Sequence, residues 1–154
     1  MPDTTPSTHP IPAQQACLKA VLRMAGLRAT RQRVALGELL FTGMHQHFNA
    51  DELHQKAIAA NANLSLATVY NTLHQFRQAG LLREVAVESA SSYFDTDTSG
   101  HHHFFVEDDK QVLDIPPGSV SFDGIPEPPE GMEVTHIDVI VRVRKVSAGR
   151  PAAI

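Results

Sequence analysis

The chain reads as an α+β protein, an N-terminal winged helix-turn-helix followed by a small α/β dimerisation domain with an antiparallel sheet. Three observations predict this. Apolar residues at helical spacing, each set with a capping residue before it or a glycine after it, recur four times before residue 81. Short apolar runs with turn residues between them then take over. The charge changes sign between the halves: residues 1–83 carry eight Lys/Arg and four Asp/Glu, whereas residues 84–154 carry five and thirteen. A basic half joined to an acidic half suits one module that meets a polyanion and another that attracts cations.

Residues 1–12 hold four prolines among small polar residues and are expected to form a disordered arm. A first helix is expected over Ala13–Ala25, with Ala16, Val21, Leu22 and Ala25 as its apolar positions and Gly26 as its C-cap. Thr30 caps a second helix, with Val34, Leu39 and Leu40 inward and Arg31 and Arg33 outward. Asn49 followed three residues later by Glu52 is close to a capping box and opens a third helix, whose apolar stripe is Leu53, Ala57 and Ile58. After the turn Asn61-Ala62-Asn63, Ser65 caps a fourth helix that ends at Gly80. Val69, Leu73 and Phe76 mark its buried side. Ala67, Asn71, His74 and Gln78 lie opposite, with Thr68 and Tyr70 on the flanks. Residues 82–87 and 92–95 then form a hairpin, the wing, and the fourth helix becomes the candidate reader of the DNA major groove.

The second half is expected to hold strands at 103–106, 111–115 and within 134–146. Between the last two, residues 116–133 carry five prolines and three glycines and read as a loop with at most a short helix. Three short strands have little core of their own, so a second copy of the chain is expected to complete them as a C2 dimer. The resulting domains are the arm at 1–12, a winged-helix DNA-binding domain at 13–96, a dimerisation and sensing domain at 97–146, and a disordered tail at 147–154.

The triplet His101-His102-His103, flanked by Asp95, Asp97, Glu107, Asp108 and Asp109, is the most chemically loaded stretch. Imidazole is the commonest protein metal ligand, and strand alternation sends His101 and His103 to one face and His102 to the other. A solvated loop is the bland alternative. The single cysteine, Cys17, cannot form an internal disulfide or an all-thiolate zinc site. With no apolar run of membrane-spanning length and no signal-like start, the expected location is the bacterial cytoplasm, without a membrane partner.

The segments Gly26-Leu27-Arg28-Ala29-Thr30-Arg31-Gln32-Arg33, His47-Phe48-Asn49-Ala50-Asp51-Glu52-Leu53 and Leu64-Ser65-Leu66-Ala67-Thr68-Val69-Tyr70-Asn71-Thr72-Leu73 resemble the ferric uptake regulator (Fur) family, over roughly residues 15–115. Tyr70–Phe76, Tyr93-Phe94-Asp95-Thr96 and His101–Val106 look most like its iron response regulator (Irr) branch, which responds to heme and controls genes of iron uptake and heme synthesis. Three departures stand out. Val106 and Asp109 replace the CxxC pair that holds a structural zinc in many members, so a four-cysteine zinc is excluded. Asn71 stands where many relatives have Arg. Cys17 is followed by Leu18, so the Cys-Pro heme motif of some Irr proteins is absent.

The resemblance implies a regulatory metal site at His47, Asp95, His101, His103 and, more weakly, Asp114, and a second site using His102 and His136. Mixed imidazole and carboxylate ligands suit Fe(II), Mn(II) or Zn(II). It also makes His101, His102 and His103 the candidate heme ligands, since a neutral imidazole is a competent axial ligand. On the DNA side, Arg28, Arg31, Arg33 and Arg83 are expected to neutralise phosphates, and Ser65 and Thr68 to touch backbone or bases. Tyr70 suits a thymine methyl and Asn71 an adenine edge. The expected function is a transcriptional regulator of iron and heme homeostasis that binds double-stranded operator DNA as a homodimer or higher oligomer, with affinity set by metal or heme. Its rivals are a metal-activated repressor sensing Fe(II), Mn(II) or Zn(II) without heme, and a heme- or metal-binding protein with no DNA role. No HExxH or comparable spacing supports a metallo-hydrolase, so no enzymatic activity is expected.

Overall fold

The computed structural model describes residues 15–147. The expected arm, the start of the first helix, the side chain of Ala16 and the tail beyond Ser147 lie outside the described residues. The described residues separate into two compact units, residues 15–85 with 89–98, and residues 86–88 with 99–147.

The first unit is a winged helix. It holds α1 (Gln15–Met24), α2 (Arg31–Phe41), β1 (His47–Asn49), α3 (Ala50–Ala59), α4 (Leu66–Gln78), β2 (Arg83–Val85) and β3 (Tyr93–Asp95). Each expected cap forms. Thr30 accepts from the Arg33 amide, Ser65 from the Thr68 amide, and Asn49 and Glu52 close a full capping box. These bonds satisfy amide donors that a helix start leaves without intrahelical partners. Gly26 and Gly80 take φ of +81° and +77°, the left-handed geometry that ends α1 and α4 and that a side chain would strain.

Leu18, Leu22, Leu36, Leu40, Phe48, Leu53, Val69, Leu73 and Phe76 make one apolar core, each at most 1% exposed. Two inward assignments fail. Val21 is 42% exposed and Ile58 53% exposed, because Leu18 with Leu22, and Leu53 with Ala57, already fill the sides of α1 and α3 that face the core. Gly37 permits a close approach of α1 to α2: a Cβ there would stand 2.9 Å from the Leu18 Cδ1.

The wing has three strands, in the order β1-β3-β2, all antiparallel. The hairpin is therefore joined by a strand in the link before α3. Phe48 and Phe94 are cross-strand partners, with ring centroids 5.8 Å apart.

The second unit is a three-stranded sheet of order β5-β4-β6, made of β4 (His103–Val106), β5 (Gln111–Asp114) and β6 (Ile140–Val143). The antiparallel expectation holds for β4 with β5, but β6 runs parallel to β4, so the sheet is mixed. The long excursion 116–139 is what lets the last strand enter from the same end as β4. No helix forms among the described residues of this unit, so the α part of the expected α/β domain is not found there. The last strand is also much shorter than the alternating run 134–146 suggests. One row across the sheet, Leu113–Phe104–Val141, leaves Leu113 42% and Val141 38% exposed. Behind it Phe105 is fully buried, with the Arg142 guanidinium 5.0 Å from its ring centroid. Lys145 is ion-paired with Asp109 at 2.8 Å, and that hydrogen bond, first among its causes, holds the exposed ammonium above its ordinary pKa.

Candidate functional site

Strand register builds a pair of ligand-type side chains in each unit. In the first unit β1 and β3 place His47 opposite Asp95. Facing residues of an antiparallel pair stand close enough for their side chains to meet. The His47 Nε2 lies 3.0 Å from Asp95 Oδ2, and the carboxylate is 1% exposed. The Asp97 amide donates to the other oxygen, Oδ1, at 2.8 Å. This buried carboxylate thus has a backbone donor that orients it and an imidazole at its open side.

In the second unit β4 and β5 place His103 opposite Asp114. Asp114 Oδ1 lies 3.4 Å from His103 Nε2 and 2.8 Å from His101 Nε2. The two imidazole rings are 4.4 Å apart, centroid to centroid. His101 Nδ1 donates to the Ser99 carbonyl at 2.9 Å. A neutral ring so bonded presents a lone pair from Nε2. That lone pair faces a carboxylate oxygen, and two acceptors that close require a cation, whether a proton or a metal ion. The donor set His101, His103 and Asp114 therefore fits a divalent ion of borderline character, and a carbonyl fixes one ligand in the metallating tautomer.

The expected split of the triplet is seen. His102 turns from its neighbours, its Nδ1 accepting from the Val139 amide at 3.2 Å and its ring 5.7 Å from Phe122, edge-on. His136 pairs with Asp138 at 2.9 Å, a carboxylate partner that the sequence reading did not name. Among the described residues, the ligand cluster that contains His101, His103 and Asp114 includes neither His102 nor His136.

The DNA candidates all lie in the first unit. On α4, Tyr70 is 47% exposed and Asn71 is exposed. Ser65 is tied up as the cap, with its hydroxyl also 2.9 Å from that of Thr68. Arg28 and Arg31 are exposed, and Arg28 lines an open hollow of about 570 Å³ with Arg23, a basic residue the sequence reading passed over. Arg33 departs from expectation. Rather than pointing outward, it is half-buried and its guanidinium is bonded within the protein, to Gln75 and to the Arg28 carbonyl. His54, expected as a plain surface residue, bonds the Leu64 carbonyl at 2.9 Å and braces the turn before α4.

Residues 24–122 match the model of the ferric uptake regulator family. Over 96 residues the chain is 38% identical to the peroxide-responsive repressor PerR of Staphylococcus aureus, a match covering 62% of this chain and 64% of that one. The chain thus spans just under two thirds of the length of the curated relatives it matches. In structure it is similar to the ferric uptake regulator of Pseudomonas aeruginosa solved with manganese, with a TM-score of 0.62, 25% identity, and coverage of 84% of this chain and 98% of that one. It also shares its fold with the Vibrio cholerae ferric uptake regulator, at a TM-score of 0.65, 24% identity, and coverage of 82% and 98%. With a family match over well more than half its length, on a winged helix followed by a small sheet, the chain belongs to the ferric uptake regulator family.

Proposed function

We propose that the chain is a dimeric transcription regulator of the bacterial cytoplasm that binds operator DNA through α4 and adjusts that binding to a divalent metal ion. The observation that carries this is the Asp114 carboxylate facing two imidazoles, one with its other nitrogen fixed on a carbonyl. These donors suit a divalent cation, in a family of ferric uptake regulators. His47 and Asp95 are assigned to the same ion. Five imidazole and carboxylate donors would suit Fe(II) or Mn(II) better than either pair alone. A bound ion would supply a fixed positive charge to these imidazoles and carboxylates. The chain's own residues do the rest: Ser99 and the Asp97 amide orient the ligands, and Tyr70 and Asn71 read bases.

The dimer rests on the exposed row Leu113–Phe104–Val141 and on Phe122, Ile125, Met132 and Val134, which are 45% to 66% exposed. That much apolar surface on a three-stranded sheet and the loop between its last two strands suits a second copy. The regulated genes are assigned to iron and heme homeostasis, after the likeness to the Irr branch.

Heme is the second reading, favoured by Phe122, which stands edge-on to the His102 ring as an apolar neighbour. Because the His102 Nδ1 accepts from the Val139 amide, the neutral ring carries its proton on Nε2, and His102 would have to give up that bond to offer iron a lone pair. His101 and His103 suit heme less well than a bare ion, since both Nε2 atoms are turned to Asp114 and His103 is 1% exposed. The test is an operator-binding isotherm at fixed salt with Mn(II), Fe(II), Zn(II), heme or no addition. A change in affinity with a divalent ion supports the reading, and a heme response that His102→Ala removes supports the second. Equal isotherms throughout overturn both. Since the matched relatives are named peroxide-responsive, a peroxide arm on the Fe(II) sample belongs in the same experiment.

A further inference from the structure

Arg33 sits two residues into α2, in a run of basic residues, where a phosphate contact is the natural expectation. Its bonding says otherwise. Nε and Nη2 both donate to the Gln75 Oε1, at 3.1 and 3.0 Å, and Nη1 donates to the Arg28 carbonyl at 2.9 Å. Three of the five N–H donors of the guanidinium are thus committed inside the protein, two of them as a fork on one oxygen.

The partners matter. Gln75 lies on α4 one turn beyond Asn71 and two turns beyond Thr68, on the same side of the helix. Arg28 belongs to the link between α1 and α2, where its carbonyl also accepts from the Thr30 amide that precedes α2. A single side chain therefore joins that link, the start of α2 and the exposed side of α4. A fork on one oxygen resists rotation of α4 about its axis, which a lysine ammonium, as a point charge, would not do. The core beneath α4 sets which face is buried, and the bond to Gln75 adds a directional restraint beside the exposed face.

We infer that Arg33 is a positioning residue for the DNA-reading helix, acting through Gln75, rather than a phosphate ligand. This rests on the reading of α4 as the operator-binding element. The consequence is that Gln75, an uncharged residue outside the set expected to touch DNA, contributes to sequence specificity.

The test compares Arg33→Lys, Arg33→Gln and Gln75→Ala in the full chain, using operator and scrambled duplexes over a salt series. A thermal melt of each variant serves as the folding control. Arg33→Lys keeps the charge but loses the fork. It is expected to lose about tenfold in operator affinity. Gln75→Ala is expected to lose a similar factor, the double variant no more than either single one, and binding to scrambled DNA is expected to shift far less. The slope of log affinity against log salt should stay as in the unchanged protein for all three, whereas loss of a phosphate ligand lowers it by about 0.9. A reduced slope in Arg33→Gln with a silent Gln75→Ala overturns the inference. So does an Arg33 Nε–H NMR resonance that does not move in Gln75→Ala, a readout that needs no DNA and also stands in should Arg33→Gln not fold. If the unchanged protein does not distinguish operator from scrambled duplex, the reading of α4 falls instead, and the NMR shift still decides whether the clamp exists.

Discussion

Tyr70 is the most exposed aromatic on α4, at 47% among small or polar neighbours, and it is the side chain proposed to read bases. Tyr70→Ala is expected to cost about 1–3 kcal/mol of discrimination between operator and scrambled DNA. The loss on non-specific DNA should be much smaller, and a salt-controlled shift assay checks both. Of the candidate side chains, those placed by strand alternation were legible in the sequence, whereas His47, Asp95 and Asp114 entered only through the family resemblance. His101 and His103 share a face because they are two residues apart, and His102 goes elsewhere for the same reason. The partner of His136 was not legible. Asp138 was one of many acids in an acidic half, and only the fold of that segment brings its carboxylate to 2.9 Å from the ring. Gln75 was hidden for a related reason. A neutral amide on a polar helix face carries no signal until a guanidinium from another helix is seen bonded to it.

At the level of elements, caps were the most legible features, because a cap is a local bond between residues three apart. Asn49→Ala removes the acceptor for the Glu52 amide at 2.9 Å and breaks the reciprocal box. It is expected to cost about 1 kcal/mol, measured as a lower urea midpoint with an unchanged slope. The strand that precedes this cap was not legible, since three residues, His47-Phe48-Asn49, are too few to show alternation and are paired only through β3. The parallel placement of β6 could not be read either, because periodicity reports the face of a strand and not its direction. The opposite edge strand, β5, gives a second expectation. Leu113, 42% exposed at one end of the row Leu113–Phe104–Val141, should tolerate Leu113→Lys in the monomer, since its side chain is not part of the core. If that row meets a second copy, the charge should weaken the dimer, and sedimentation equilibrium across protein concentration will show a raised dissociation constant while the melt at high dilution stays put.

For the molecule as a whole, the question is whether the two ligand pairs serve one ion. Each pair is made by the same device, a histidine and an aspartate opposite each other in an antiparallel ladder, once in the wing and once in the sheet. Such pairs also occur without any ion, as plain hydrogen-bonded partners. Stoichiometry separates the cases. A shared centre takes one Mn(II) per chain in a single titration step. Asp114→Ala and His47→Ala should then each lower affinity for that ion by an order of magnitude or more. Both should also abolish its effect on operator binding, because either loss uncouples the ion from one unit. Two separate sites would instead give two steps, with each variant removing one and sparing the other. Isothermal titration of the chain and both variants with Mn(II), followed by the operator isotherm with and without the ion, decides between them. Metal-free operator binding serves as the internal check. It should be the same in Asp114→Ala as in the unchanged protein, since that residue lies outside the unit that carries α4. A fall there would mean that the aspartate supports the fold rather than the ion.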